Sequence, residues 1–83
     1  MQIKIKGRND NVKILIIGMI RNDIETFEEL GRKIKQSSAV IKNWTSGKTG
    51  LTSETLEFIE SKLDIEFIRS EMRRDLKGKW YLQ

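Results

Sequence analysis

The stretch Thr26 to Gly50, TFEELGRKIKQSSAVIKNWTSGKTG, decides the fold. Thr26 is a good helix N-cap, and Glu29, three residues later, completes a capping box. Phe27, Leu30 and Ile34 recur at helical spacing and predict a helix that runs to about Ile34. Ser37 or Ser38 caps a second helix. Ala39, Val40, Ile41 and Trp44 give that helix an apolar face, and Gly47 stops it.

Two short helices with a three- or four-residue joint make a helix-turn-helix arrangement. The spacing Thr26-x-x-Glu29-Leu30-Gly31-x-x-Ile34-x-x-Ser37-x-x-x-Ile41-x-x-Trp44-x-x-Gly47-Lys48 resembles the lambda-repressor-like, Cro-type DNA-binding family, also called the XRE family. Ser53 to Ile65, SETLEFIESKLDI, is similar to that family's fourth helix, so the resemblance covers Val12 to Ile65. Two positions depart from the pattern. The family usually has Ala where this chain has Gly31, a place where the second helix crosses closely. It has a turn Gly where this chain has Lys35, and a left-handed Lys35 costs about 1–2 kcal/mol.

Length and composition narrow the chemistry. At 83 residues the chain is one small domain with a small core. With no Cys there is no disulfide or thiolate metal site. With no His the usual general base, nitrogen metal ligand and catalytic triad are missing, so no enzyme and no cofactor is expected. The longest apolar run, Ile14 to Ile20, is too short to span a bilayer, and no signal-peptide cleavage site follows it. A cytoplasmic protein is expected.

The net charge of +4 is modest, but it is unevenly spread. Arg32 to Gly50 holds five basic residues (Arg32, Lys33, Lys35, Lys42, Lys48) and no acidic one. Leu51 to Glu66 holds five acidic residues (Glu54, Glu57, Glu60, Asp64, Glu66) against Lys62 alone. One surface is therefore expected to meet a polyanion while another faces away. The plainer reading is ordinary solvated surface.

Outside the motif, Met1 to Gly7 alternates as a short strand, with Lys79 to Leu82 as its expected partner. One of Asn9, Asp10 and Asn11 caps a helix. Val12 to Asn22 fits a buried strand or a helix by composition, and the resemblance selects the helix. Ile14 and Ile17 then fall off its core stripe and need cover. Thr52 or Ser53 caps a fourth helix to Leu63, with Leu56, Ile59 and Leu63 inward and Phe58 partly buried. Ile65, Ile68, Met72 and Leu76 continue at spacings of three, four and four, which predicts a fifth helix from Ile65 to Lys77 ended by Gly78. The expected fold is all-α: a five-helix lambda-repressor-like DNA-binding bundle with short terminal strands. Its divisions are an arm over residues 1–10, the DNA-binding domain over 11–66, and a C-terminal helix and tail over 67–83.

The resemblance places the start of the second motif helix in the DNA major groove. It implies base contacts from Ser38, Ala39, Lys42 and Asn43. Asn43 suits the adenine edge, Lys42 guanine or a phosphate, Ala39 a thymine methyl, and Ser38 several bases. It implies phosphate contacts at Phe27 (through the backbone), Ser37, Ser46, Lys48 and Thr49. The competing reading is that these are merely exposed helix and loop residues. Trp44 is expected in the core. Gly47-Lys48-Thr49 is no P-loop, because Lys42 stands where that motif needs Gly. Asn43-Trp44-Thr45 is a glycosylation triplet on a helix, and Glu54, Glu57 and Glu60 are expected to be a solvated face.

The function implied is that of a homodimeric, sequence-specific regulator of transcription that represses by occupying an operator. Two alternatives stand beside it. One is the antitoxin of a toxin–antitoxin pair, with the toxin as a further partner. The other is a protein-interaction adaptor that binds no DNA. The dimer interface is expected in the C-terminal part, at Ile68, Met72, Leu76, Trp80, Tyr81 and Leu82. The alternative is that this tail folds back over Ile14 and Ile17 of its own chain.

Overall fold

A computed structural model describes residues 9–83 of the chain. Four α-helices come first: α1 Asp10–Arg21, α2 Phe27–Ile34, α3 Ser38–Thr45 and α4 Ser53–Leu63. A 3-10 turn over Arg69–Glu71 leads into two short strands, β1 Met72–Arg74 and β2 Trp80–Leu82. The molecule is mostly helical, with one small sheet.

Each helix starts on a polar cap. The Asn9 side chain accepts from the Asn11 amide, Thr26 from Glu29, Ser37 from Val40 and Thr52 from Thr55. Helices α2 and α4 both end on a left-handed residue, Lys35 and Asp64. The core is built from one stripe of each helix. Val12, Leu15 and Met19 come from α1, Leu30 and Ile34 from α2, Ile41 and Trp44 from α3, and Leu56, Ile59 and Leu63 from α4. Phe58 is partly buried, as expected.

The fifth helix does not form. Residues 65–68 belong to no helix or strand, with Ile68 extended, and the sequence continues through the 3-10 turn into β1. The reason lies in where the backbone groups of this segment are satisfied. Asn11 is fully buried; its Oδ1 accepts from the Ile68 amide at 2.6 Å and its Nδ2 donates to the Ile68 carbonyl at 3.0 Å. Glu60 accepts from the Phe67 amide at 2.8 Å, and the Asn9 side chain donates to the Glu71 carbonyl. Side chains from α1 and α4 thus take up donors and acceptors that a helical ladder would use. The reversal at Asp64 turns Phe67 into the core, where its ring meets Trp44 edge-on at 5.3 Å. Glu60 is therefore not part of a solvated face. It also holds Arg69 through two hydrogen bonds, at 3.0 and 3.1 Å.

The C-terminal segment is an antiparallel hairpin with Met72 opposite Leu82, Arg73 opposite Tyr81 and Arg74 opposite Trp80. Gly78, at φ +85°, belongs to its turn and ends no helix. Asp75 closes that turn by accepting from the amides of Lys77 and Lys79. The amide of Lys79, first of all, holds the Asp75 carboxyl below the ordinary carboxylate range. The strand over Lys79 to Leu82 thus pairs within the C-terminal segment; its expected partner, Met1 to Gly7, lies outside the described residues. On its other side Trp80 bridges to Leu51, the residue before the α4 cap, through two backbone hydrogen bonds.

The tail does fold back on its own chain, but against α3 and α4. Met72 and Leu82 are buried, and Ile68, Trp80 and Tyr81 are half-buried, which leaves Leu76 fully exposed at the hairpin turn. Ile14 packs partly against the core, while Ile17 and Ile20 are 51% and 63% exposed.

Because Leu82 and the Trp80 carbonyl complete the core around Trp44, a chain ending at Gly78 is expected to lose its cooperative thermal transition. Trp44→Ala should cost about 3–5 kcal/mol in urea unfolding, large for a domain this small. A truncated chain that melts like the full one would show that the hairpin is dispensable.

Candidate nucleic-acid interface

The joint between α2 and α3 is three residues, Lys35, Gln36 and Ser37. Lys35 sits at φ 60°, ψ 41°, the left-handed conformation the sequence requires of it. The Gln36 amide donates to the Gly31 carbonyl at 2.9 Å, which folds the joint tightly under α2. A Cβ on Gly31 would lie 2.2 Å from the Gln36 carbonyl oxygen and 3.6 Å from the Ser38 amide. Gly31 is thus needed for a close approach, and the approaching group is the joint itself together with the start of α3.

This joint sets the rotation of α3. Ile41 and Trp44 point into the core, with Val40 partly buried beside them. Ala39, Lys42, Asn43 and Ser46 then share the opposite, exposed face, spaced by three, one and three. Ser38 is half-buried at the helix start. The structure therefore brings three of the four expected base-contact residues, Ala39, Lys42 and Asn43, to one exposed side of one helix. Among the described residues, neither Lys42 nor Asn43 has a hydrogen-bonding or ion-pair partner for its side chain.

The expected phosphate residues flank this face. The Phe27 side chain packs on the core, which leaves only its backbone amide to meet a ligand, and the first amides of a helix have no acceptor within it. The Ser37 hydroxyl already accepts from Val40, and the Ser46 hydroxyl donates to the Asn43 carbonyl at 3.1 Å. Ser46 consequently keeps no hydroxyl hydrogen for a phosphate, whereas Ser37 does. Lys48 is exposed, and its own amide donates to the Asn43 carbonyl at 2.8 Å, so the loop leaves α3 at a defined angle. Thr49 is half-buried next to it. All five cations of the basic block, Arg32, Lys33, Lys35, Lys42 and Lys48, are exposed, and none is within an ion pair among the described residues.

An open cleft of about 300 Å³ lies behind this surface, lined by Ile34, Lys35, Gln36, Glu54, Thr55 and Phe58. It brings together one lysine and one glutamate, beside the Thr55 hydroxyl. Among the described residues no three acidic, His or Cys side chains gather as metal ligands, and no helix is long and apolar enough to cross a membrane. Sequence reasoning missed two things near this interface: the Asn9–Asn11–Glu60 contacts, and the hairpin that lies along the loop after α3. The hairpin carried a signal in its turn residues, Asp75 to Gly78, between two short runs that end in Trp80 and Tyr81. Comparison with known proteins adds no relative: no family model, no curated protein and no solved structure matches the chain.

Gly31→Ala is expected to destabilise the fold by about 1–3 kcal/mol, because the Gln36 carbonyl must move. Lys35→Gly should instead stabilise it by up to about 1 kcal/mol, by relieving the left-handed lysine. Urea midpoints of the two variants check both signs; the reverse order would mean that the joint is not folded this way.

Proposed function

We propose that this chain is a sequence-specific double-stranded DNA-binding protein of the helix-turn-helix type. It acts as a homodimeric transcription regulator that represses by occupying its operator. The observation that carries the reading is the exposed face of α3. Ala39, Lys42 and Asn43 stand together there, unpaired, on a helix whose opposite side is locked into the core by Ile41 and Trp44. A rigid helix with a free polar face suits the major groove, where side chains must present donors and acceptors to base edges. The five exposed cations of the block from Arg32 to Gly50, which holds no acidic residue, supply the sequence-independent attraction to phosphate.

The dimer follows from selectivity: one recognition helix reads only a few base pairs, and a two-fold pair doubles the contact at half-sites one helical turn apart. The C-terminal tail spends most of its apolar surface inside its own chain. The large apolar side chains left exposed for a second copy are Ile17, Ile20 and Leu76.

Selection of bound fragments from random duplex DNA would give the preferred site. On that site Asn43→Ala should lose about 1–3 kcal/mol and relax one base position. Lys48→Ala should weaken all sequences alike and lower the salt slope by about one unit. If the two variants exchanged these effects, the roles assigned to α3 and its following loop would be wrong.

A further inference from the structure

The segment after α3 runs along β2. A Cβ on Gly47 would lie 3.4 Å from the Leu82 carbonyl oxygen. A Cβ on Gly50 would lie 2.7 Å from the Tyr81 ring and 2.8 Å from the Lys79 Cβ, and Leu51 is hydrogen-bonded to Trp80. Lys48 and Thr49 thus lie between Gly47, in ordinary contact with β2, and Gly50, which is pressed against the strand. Lys79 and Tyr81 alternate to the same side of the strand, and Arg73, directly across from Tyr81, shares that side. The Arg73 guanidinium lies over the Tyr81 ring at 4.6 Å.

Charge on this face is not cancelled. Arg69, Arg73, Arg74, Lys77 and Lys79 are the five cations after Phe67, against Glu71 and Asp75. Glu60 takes Arg69, the Glu71 carboxylate accepts from the Asp10 amide at the start of α1, and Asp75 is bound into its turn. Arg73 and Lys79 are in no salt bridge among the described residues; Asp75 feels the Lys79 charge, but its carboxyl is already engaged by the amides of its own turn. An arginine laid on an aromatic ring keeps its N–H donors at the ring edge, aimed outward and free for an oxyanion.

We propose that the outer face of the C-terminal hairpin is a second DNA contact, in which Arg73 and Lys79 grip duplex phosphates next to those met by Lys48. The proposal rests on the DNA-binding reading of α3 and extends its footprint. Gly50 has a role in it, since a side chain there would push the Lys48 loop off the hairpin, while Gly47, at φ +81°, turns the chain into that loop. Tyr81 fixes the arginine and packs on Gly50, so it acts as a positioning residue.

The test uses the full chain and two duplex probes, its selected site and a scrambled duplex of equal length, titrated between about 50 and about 200 mM salt. Arg73→Gln/Lys79→Gln should lower the salt slope by about two units on both probes and weaken both alike, while base preference is kept. Lys79→Gln alone, which leaves the arginine stack intact, should lower it by about one unit. Arg73→Lys should retain the slope. Lys13→Gln/Arg21→Gln on α1 removes the same formal charge elsewhere and should leave the slope nearly unchanged. The proposal is overturned if the hairpin pair keeps the wild-type slope, or changes it no more than the α1 pair does. It is overturned also if the hairpin pair alters base preference. Wild-type protein that binds neither probe overturns the reading of α3 and this one with it. That failure differs from a hairpin variant that binds as well as wild type.

Discussion

Trp44 is the side chain on which the rest of the molecule closes. It is 1% exposed, its ring meets Phe67 edge-on, and its indole N–H donates to the Trp80 carbonyl at 3.2 Å. A buried indole needs an acceptor for its one donor, and leaving it unpaired costs about 1–3 kcal/mol. The acceptor comes from a strand 36 residues further along the chain. The proposed reading helix and the C-terminal hairpin are consequently not separable parts. The inward side of α3 is held by the hairpin, and only its outward side is left to bind anything.

Helices α2, α3 and α4 were legible because their signals are local, whereas the apolar run of α1 fits a strand as well and reads as a helix only through the resemblance. Caps at Asn9, Thr26, Ser37 and Thr52 lie within three residues of the amides they satisfy, and the core stripes repeat inside one helix. The left-handed Lys35 follows only from the resemblance, whose pattern has Gly at that position, and the structure shows that conformation. The segment from Ile65 to Lys77 was misread because its determinants are distant. The spacing of Ile65, Ile68, Met72 and Leu76 imitates a helical stripe, yet in the fold only Met72 is buried and Leu76 is fully exposed. What decides the segment is Asn11, 57 residues before Ile68, and no window along the sequence joins the two. Tertiary hydrogen bonds overrode local periodicity there. The outward residues of α3 are assigned through the resemblance, and the local pattern misplaces one of them: Ala39 reads with Ile41 and Trp44 as part of the apolar face, yet it is exposed on the other side. The neighbouring hairpin surface was not legible, because it exists only once β2 has docked beside Gly47 and Gly50.

Charge is divided along the chain, but the two blocks meet in the fold, where Lys35 of the joint and Glu54 of α4 line one cleft. Glu54 and Glu57 of α4 are exposed. Glu60 is the exception, and its neighbours explain why. It is partly buried, accepts a backbone amide and binds Arg69, and Arg69 in turn lies 5.9 Å from the Trp80 ring centre. Arg74 approaches the same ring at 5.6 Å. One carboxylate thus anchors a layered stack of guanidinium groups and indole that covers the start of α4, where the Trp80 Nε1 donates to the Ser53 hydroxyl. An acidic residue that looks like one more solvated glutamate holds the hairpin to the helices.

The contacts made by Asn9, Asn11 and Glu60 share a property with consequences for how this sequence tolerates change. Each reaches a backbone group, of Glu71, Ile68 or Phe67. Much of the burden of identity therefore falls on the three anchors, although Phe67 still fills the core and the Glu71 carboxylate still accepts from the Asp10 amide. Ile68 can be replaced by residues that accept an extended backbone, provided they keep their amide, so proline is barred at position 68. An anchor cannot be replaced so freely, because Asn11 must both donate and accept inside a closed core. Variation in this protein is thus expected to drift along the linking segment while the polar residues that clasp it, far upstream in the chain, stay put.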